Sequence, residues 1–222
     1  MQDERKRGVA AGYDRIADRY SQWLARIEGD PRDRMLAEFT QRLPAGGRVL
    51  DLGCGPGVPS TRVLAERFEV VGIDISEAQI ESARALVPKA TFIHGDFAEM
   101  DLPDASLTGV VALYSVSHIP REDHARLFAR IARWLVPGGL FLATLGAADS
   151  PDWVGPWLGE PMFFSSFDAE TNRALLRAAG FTLLVDEIVE MREPEGLVSL
   201  LWVIGQRPVG TSAAIGAVCS GR

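Results

Sequence analysis

A chain of 222 residues with 47% apolar and 24% charged side chains has the balance of a folded globule, and it is long enough to bury most of its unfolded surface without disulfides or metals. A net charge of −7 speaks against a surface built to hold DNA or RNA, so no nucleic-acid partner is expected. Cys54 and Cys219 are too few for a secreted scaffold and lack metal-ligand spacing.

In chain order, Val9, Tyr13, Ile16, Tyr20, Trp23, Leu24 and Ile27 recur at three- and four-residue steps and predict an amphipathic helix. Asp30-Pro31 breaks it. Met35, Leu36, Phe39 and Leu43 mark a second helix ending before Pro44. The burst Arg48–Leu52 (RVLDL), stopped by glycines, predicts a buried strand. A helix over 59–67, a strand over 69–74, a helix capped by Ser76, and strands at Thr91–His94 and Leu107–Leu113 follow. Next come a helix over Arg121–Leu135 and a strand over Gly139–Leu145. Regular alternation of this kind predicts an α/β fold, a Rossmann-like three-layer sandwich around a mainly parallel, seven-stranded sheet. A helix over 168–179 closes at Gly180, and strands at 181–190 and 197–205 are joined by a polar link that suits a hairpin, so the last strand should be antiparallel.

The expected organisation is a single domain over 1–207, with a helical lid at 1–45 and an inserted lid at 146–167. Residues 208–222 read as a loose tail. The opening stretch MQDERKRGVA carries charge with no apolar run behind it, so no signal peptide is expected. The apolar stretches are too short to cross a bilayer, and a cytoplasmic location with no membrane partner is expected.

The sharpest local signal is Asp51-Leu52-Gly53-Cys54-Gly55-Pro56-Gly57, between the first strand and a helix. Glycines let a backbone approach a ligand, and the following helix N-terminus favours a negative group. Dinucleotide sites space their glycines as G-x-G-x-x-G. Here they fall at every second residue, preceded by an acid. A second acid, Asp74, ends the second strand, where a carboxylate can accept both ribose hydroxyls.

With these residues the chain resembles the class I S-adenosylmethionine-dependent methyltransferases, in their small-molecule branch. DLGCGPG is similar to the family's first motif and VVGIDIS (70–76) to its second; GDF (95–97) resembles the adenine-edge motif, and LVPGG (135–139) the turn into the fifth strand. Tyr13-Asp14-x-x-Ala17-x-x-Tyr20 resembles a lid helix. The cofactor contacts so implied, for S-adenosylmethionine or its product S-adenosylhomocysteine, are Tyr13, Tyr20, Asp51, Gly53, Cys54, Gly55, Gly57, Asp74, Ile75, Asp96, Phe97 and Tyr114. Asp96 would meet the adenine amine and Phe97 would flank the ring. Thr108 stands in the region where many relatives carry an acid, and no Asn/Asp-Pro-Pro-Tyr/Phe motif follows the fourth strand, which lowers the odds for adenine or glutamine methylation.

The implied activity is in-line methyl transfer to the oxygen, nitrogen, sulfur or carbon atom of a small molecule. His118 is the candidate catalytic group, a base or a substrate-orienting residue, with local packing or helix capping as the competing role. The stretch 146–167 reads as irregular and aromatic, a substrate lid or a dimer contact. Trp23, Trp153, Trp157, Phe163 and Phe164 are the candidate acceptor contacts, and the acidic balance permits a cationic acceptor. A non-catalytic cofactor-binding module, an NAD-dependent oxidoreductase and a homodimer stay open.

Overall fold

Apolar runs closed by turn residues become strands: β1 (Arg48–Leu52), β2 (Glu69–Asp74), β3 (Thr91–His94), β4 (Leu107–Ala112) and β5 (Leu135–Gly146). The computed structural model describes residues 4–209. β6 (Ser150–Trp157) and β7 (Glu160–Ser166) pair only with each other, whereas β8 (Thr182–Glu193) and β9 (Gly196–Gln206) join the main sheet. Its order is β3-β2-β1-β4-β5-β9-β8, and β9 is antiparallel to both neighbours. The seven-stranded sheet with an antiparallel last strand is therefore as expected.

The helices are α1 (Glu4–Leu24), α2 (Arg32–Arg42), α3 (Ser60–Leu64), α4 (Glu77–Leu86), α5 (His124–Trp134) and α6 (Ala169–Ala178). Side chains of a strand alternate between its two faces, and here both faces are apolar. Phe141, Ala143 and Leu145 of β5 face the cluster built from Leu127, Phe128 and Ile131 of α5 and Leu176 of α6. Leu140 and Leu142 face Met35, Leu36 and Phe39 of α2 and Leu64 of α3. That double burial is why these strands read as continuous apolar runs. Ser76 caps α4 by accepting from Gln79 N, and Gly180 follows α6 at φ +98°.

Differences from the sequence reading cluster at the edges. α1 begins before Val9 and ends before Ile27, and α3 is shorter than 59–67. The larger correction is 146–167, which is no irregular loop. It holds the β6–β7 hairpin, whose Leu158-Gly159 turn has φ of +47° and +83°. Prolines at 151, 156 and 161 argue against strands, yet a two-stranded ribbon is all edge and tolerates them. α1 packs on β7 at Gly12, where a Cβ would come within 2.8 Å of Met162 Cε. The tail reading falls almost wholly outside the described residues. No helix among those residues is long and apolar enough to cross a membrane.

The α2 side of the sheet depends on Gly109 of β4. A Cβ there would lie 2.7 Å from Phe39 Cζ and 2.9 Å from Leu43 Cδ1. Gly109→Ala should cost about 1–3 kcal/mol by overpacking, read as a lower urea midpoint at unchanged slope; an unchanged midpoint would contradict this packing.

Candidate functional site

The strand order reverses between β1 and β4, so their carboxyl ends frame a crevice of the kind in which open α/β sheets hold ligands. The β1–α3 loop fills its floor. Gly53, Gly55 and Gly57 have φ of +70°, +54° and +74°, a region L side chains rarely adopt. At Gly53 a Cβ would also sit 2.3 Å from Ser115 Cβ. Asp74 ends β2 beside the loop: its Oδ2 accepts from Gly55 N at 2.9 Å and its Oδ1 from Ser76 N at 2.9 Å. Burial raises its carboxyl above the usual range, against the lowering effect of those amides.

Over this floor lies an inner cleft of about 50 Å³, lined by Val9, Tyr13, Tyr20, Gly53, Gly55, Asp74, Ile75, Phe97, Leu113, Tyr114, Ser115 and His118. α1 forms its roof. Asp14 of α1 accepts from Ser76 Oγ at 2.7 Å and Ala78 N at 3.2 Å, and Lys6, buried, pairs with Asp96 Oδ2 at 2.9 Å.

His118, in a short 3-10 turn after β4, stands at the boundary of the cleft. Its Nδ1 lies 2.8 Å from the Phe163 carbonyl, which can only accept, so Nδ1 carries the hydrogen. Burial pushes its pKa down from 6.5 to about 4, and the ring is neutral. The Nε2 lone pair then accepts from the Tyr13 hydroxyl at 2.9 Å.

Beyond Tyr13 opens an outer cavity of about 290 Å³. Tyr13, Tyr20 and Trp23 project into it from one face of α1 and meet Trp157 of β6 at ring separations of 5.8, 6.0 and 5.3 Å. Phe164 of β7 packs on Trp157 at 5.8 Å and on His118 at 4.7 Å. Tyr114, at φ +60°, is held by its amide on Thr144 Oγ1 and by the Arg32 guanidinium over its ring at 4.7 Å. Ser117, Thr144, Ser165 and Ser166 supply hydroxyls, and Glu193 supplies a carboxylate.

Residues 49–139 match the family model described as a methyltransferase domain. Trans-aconitate 2-methyltransferase of Variovorax paradoxus is 41% identical over 122 residues, covering 53% of this chain and 46% of that protein. The chain spans about half to two thirds of the length of the curated relatives it matches. Among solved structures, the Burkholderia thailandensis 1,6-didemethyltoxoflavin-N1-methyltransferase, with its substrate and S-adenosylhomocysteine bound, aligns at TM-score 0.67 and 20% identity over 90% of this chain and 87% of that one. Residues 49–139 are a methyltransferase domain, and the fold is that of the class I S-adenosylmethionine-dependent methyltransferases. A [4+2]-cyclase shares the fold too, at TM-score 0.69 and 22% identity over 90% of this chain and 95% of that one.

Set against the family's motifs, the residues divide into two groups. Tyr13, Tyr20, Gly53, Gly55, Asp74, Ile75, Phe97, Tyr114 and His118 converge on the inner cleft, and Trp23, Trp157 and Phe164 on the outer cavity. Gly57 packs instead against Ala83, Val87 and Phe92. Asp51 does not reach the cleft: its carboxylate accepts from Thr61 Oγ1 at 2.6 Å, and burial pushes it up to about 6. Cys54 turns into the apolar cluster of Ile80, Ala83, Val87 and Phe92. The Asp96 carboxylate is engaged by Lys6 and by Ala98 N, and does not line the cleft.

Neighbouring strand residues face opposite ways, so Phe163 is buried against α1 beside Val9 and Ile16, and only its carbonyl serves the site. Trp153, 47% exposed, lies outside the cavity against Phe164. The loop amides are spent on the protein itself: Gly53 N and Cys54 N donate to Ile73 O, and Gly57 N to Cys54 O. Thr108 lies at the opposite end of β4, donating to Arg48 O, remote from the crevice. Sequence reading missed Glu193, Ser117 and Thr144, each an ordinary polar residue whose place depends on long-range packing.

If the hydrogen bonds of His118 are as described, nitrogen NMR will show a neutral imidazole protonated at Nδ1 that titrates with a midpoint near 4. A midpoint near the ordinary 6.5 would refute the buried, doubly bonded ring.

Proposed function

We propose that the chain transfers a methyl group from S-adenosylmethionine to a small acceptor held in the outer cavity. The observation that carries this reading is that the two cavities share Tyr13, Tyr20, Tyr114 and His118 as walls. Two molecules could therefore meet end to end across that boundary.

The cleft residues fit the cofactor. Each Asp74 oxygen accepts one backbone N–H and keeps lone-pair capacity for ribose hydroxyls. Ile75 and Phe97 offer apolar walls to a flat ring, and Gly55 presents bare backbone toward Tyr20. When bound, S-adenosylmethionine supplies a sulfonium methyl: the acceptor lone pair forms the new bond to carbon, the sulfur–methyl bond breaks, and its electron pair neutralises the sulfonium. The chain's contribution is alignment, which can supply about 7–11 kcal/mol of such a barrier.

A cleft of about 50 Å³ has room for a few waters at most. α1 must therefore lift to admit a nucleoside and settle again to exclude water. Within the expected lid 1–45, α1 is read as the part that moves, the Asp14 and Lys6 contacts being its catches, while α2 stays packed on the sheet. The hairpin within 146–167 is read as the second cover, since Trp157 and Phe164 close the outer cavity. His118 fits an orienting role better than that of a base. Its Nε2 is occupied by the Tyr13 hydroxyl, and its low pKa makes it a weak proton acceptor at neutral pH.

The acceptor named for the trans-aconitate relatives suits this cavity poorly. A tricarboxylate would find Glu193 and, among the described lining residues, no Lys or Arg.

Calorimetric titration should show binding of S-adenosylhomocysteine and none of NAD. Asp74→Ala should weaken that binding by about 1–3 kcal/mol, the cost of leaving polar groups unpaired, with the melting temperature reported alongside. Equal affinity in a folded variant would remove Asp74 from the site. Because the fold also carries a cyclase, product formation must be followed by transfer of a labelled methyl group.

A further inference from the structure

Glu193 ends β8 and lines the outer cavity but not the inner cleft. The rings of Tyr20, Trp23 and Trp157, packed on one another, line the same cavity. Among the described residues its carboxylate meets no hydrogen-bond donor. Trp23 Nε1 donates instead to the neighbouring Glu195, at 2.8 Å. No Lys or Arg is among the described lining residues, and His118 is neutral. A half-buried carboxylate without a partner costs free energy that a bound cation would recover, and aromatic faces add to the attraction for that cation.

We propose that the acceptor is a small organic cation, an amine-bearing aromatic whose ammonium group docks between Glu193 and the Trp23, Tyr20 and Trp157 rings. Its nucleophilic atom lies at the other end of the molecule, at the Tyr13–His118 boundary. This inference rests on the methyl-transfer reading and names its substrate class. The separation matters chemically. A protonated amine has no lone pair to attack the methyl, so the charged end anchors and a neutral oxygen or nitrogen reacts: its lone pair bonds the methyl carbon as the sulfur–carbon bond breaks, and the proton left on that atom is released to water. Burial and the nearby Glu195 raise the Glu193 carboxyl to about 7. The other charged groups at this rim are Arg26, Glu28 and Arg192. As a carboxyl with a raised pKa, Glu193 is neutral below about 7 and charged above it, so affinity for a cation falls as the pH drops through that value.

The test uses three probes on one phenol scaffold: tyramine, N-acetyltyramine and 3-(4-hydroxyphenyl)propionate, cationic, neutral and anionic. S-adenosylhomocysteine is titrated first, and each probe is then titrated with and without it, into the protein and into Glu193→Gln. The expected result is at least tenfold tighter binding of tyramine than of either counterpart, with that preference lost in Glu193→Gln. Equal or tighter binding of the neutral or anionic probe, no binding by any of them, or a preference that survives Glu193→Gln would overturn the proposal. The first titration separates the two failures: a protein that binds S-adenosylhomocysteine without cation preference refutes this inference alone, whereas one that does not bind it refutes the donor reading.

Discussion

Ser115 lies so close to Gly53 that no other residue fits at position 53. A Cβ there would come 2.3 Å from the serine Cβ, while Ser115 Oγ donates to Leu52 O at 2.6 Å. This contact ties the end of β1 to the segment after β4, across the line where the strand order reverses. The floor of the crevice is placed from it. The loop 53–57 is bent away from the sheet, its amides are satisfied within the loop and by β2, and Asp74 is fixed by Gly55 N. On the other side the same segment continues into Tyr114 and the turn carrying His118. Tyr114 is a non-glycine residue at positive φ, a strain of the sort that collects at functional sites.

The walls above that floor come from far away in the chain. α1 and the β6–β7 hairpin pack on each other through Val9, Ile16, Met162 and Phe163, with Gly12 allowing the close approach. Salt links reinforce the pairing at its surface, Arg5 with Asp152 and Arg15 with Glu160. Exposed pairs of this kind are each worth little, about 0–1 kcal/mol, so the apolar contact does most of the holding. α1 and the hairpin are thus packed together over the crevice, and His118 bonds to both, through Tyr13 and through the Phe163 carbonyl.

The central sheet was readable because each parallel strand is buried on both faces and so announces itself as an apolar run. The glycine loop was readable for a different reason, since positive φ and close approach exclude side chains. Where reading failed, local sequence carried no signal. The hairpin turn is Leu158-Gly159 rather than a familiar turn pair, and three prolines disguise its strands. Phe163 and Phe164 are the same residue type in succession, and only the docking of β7 on α1 decides which one looks inward. Asp96 matches the adenine-edge motif, but its carboxylate meets Lys6 from the start of the chain. Glu193 announced nothing, being one of several acids around a turn.

The shared walls have a thermodynamic consequence. Tyr13, Tyr20, Tyr114 and His118 bound both cavities, so one movement of α1 enters the binding equilibrium of whatever occupies either one. On the proposed reading of α1 as a lid, two ligands would divide the cost of closing it: the first to bind bears that cost, and the second finds the wall already in place. Such coupling is reciprocal, each ligand changing the other's affinity by the same factor. An affinity measured for one cavity alone is therefore the affinity of half a site.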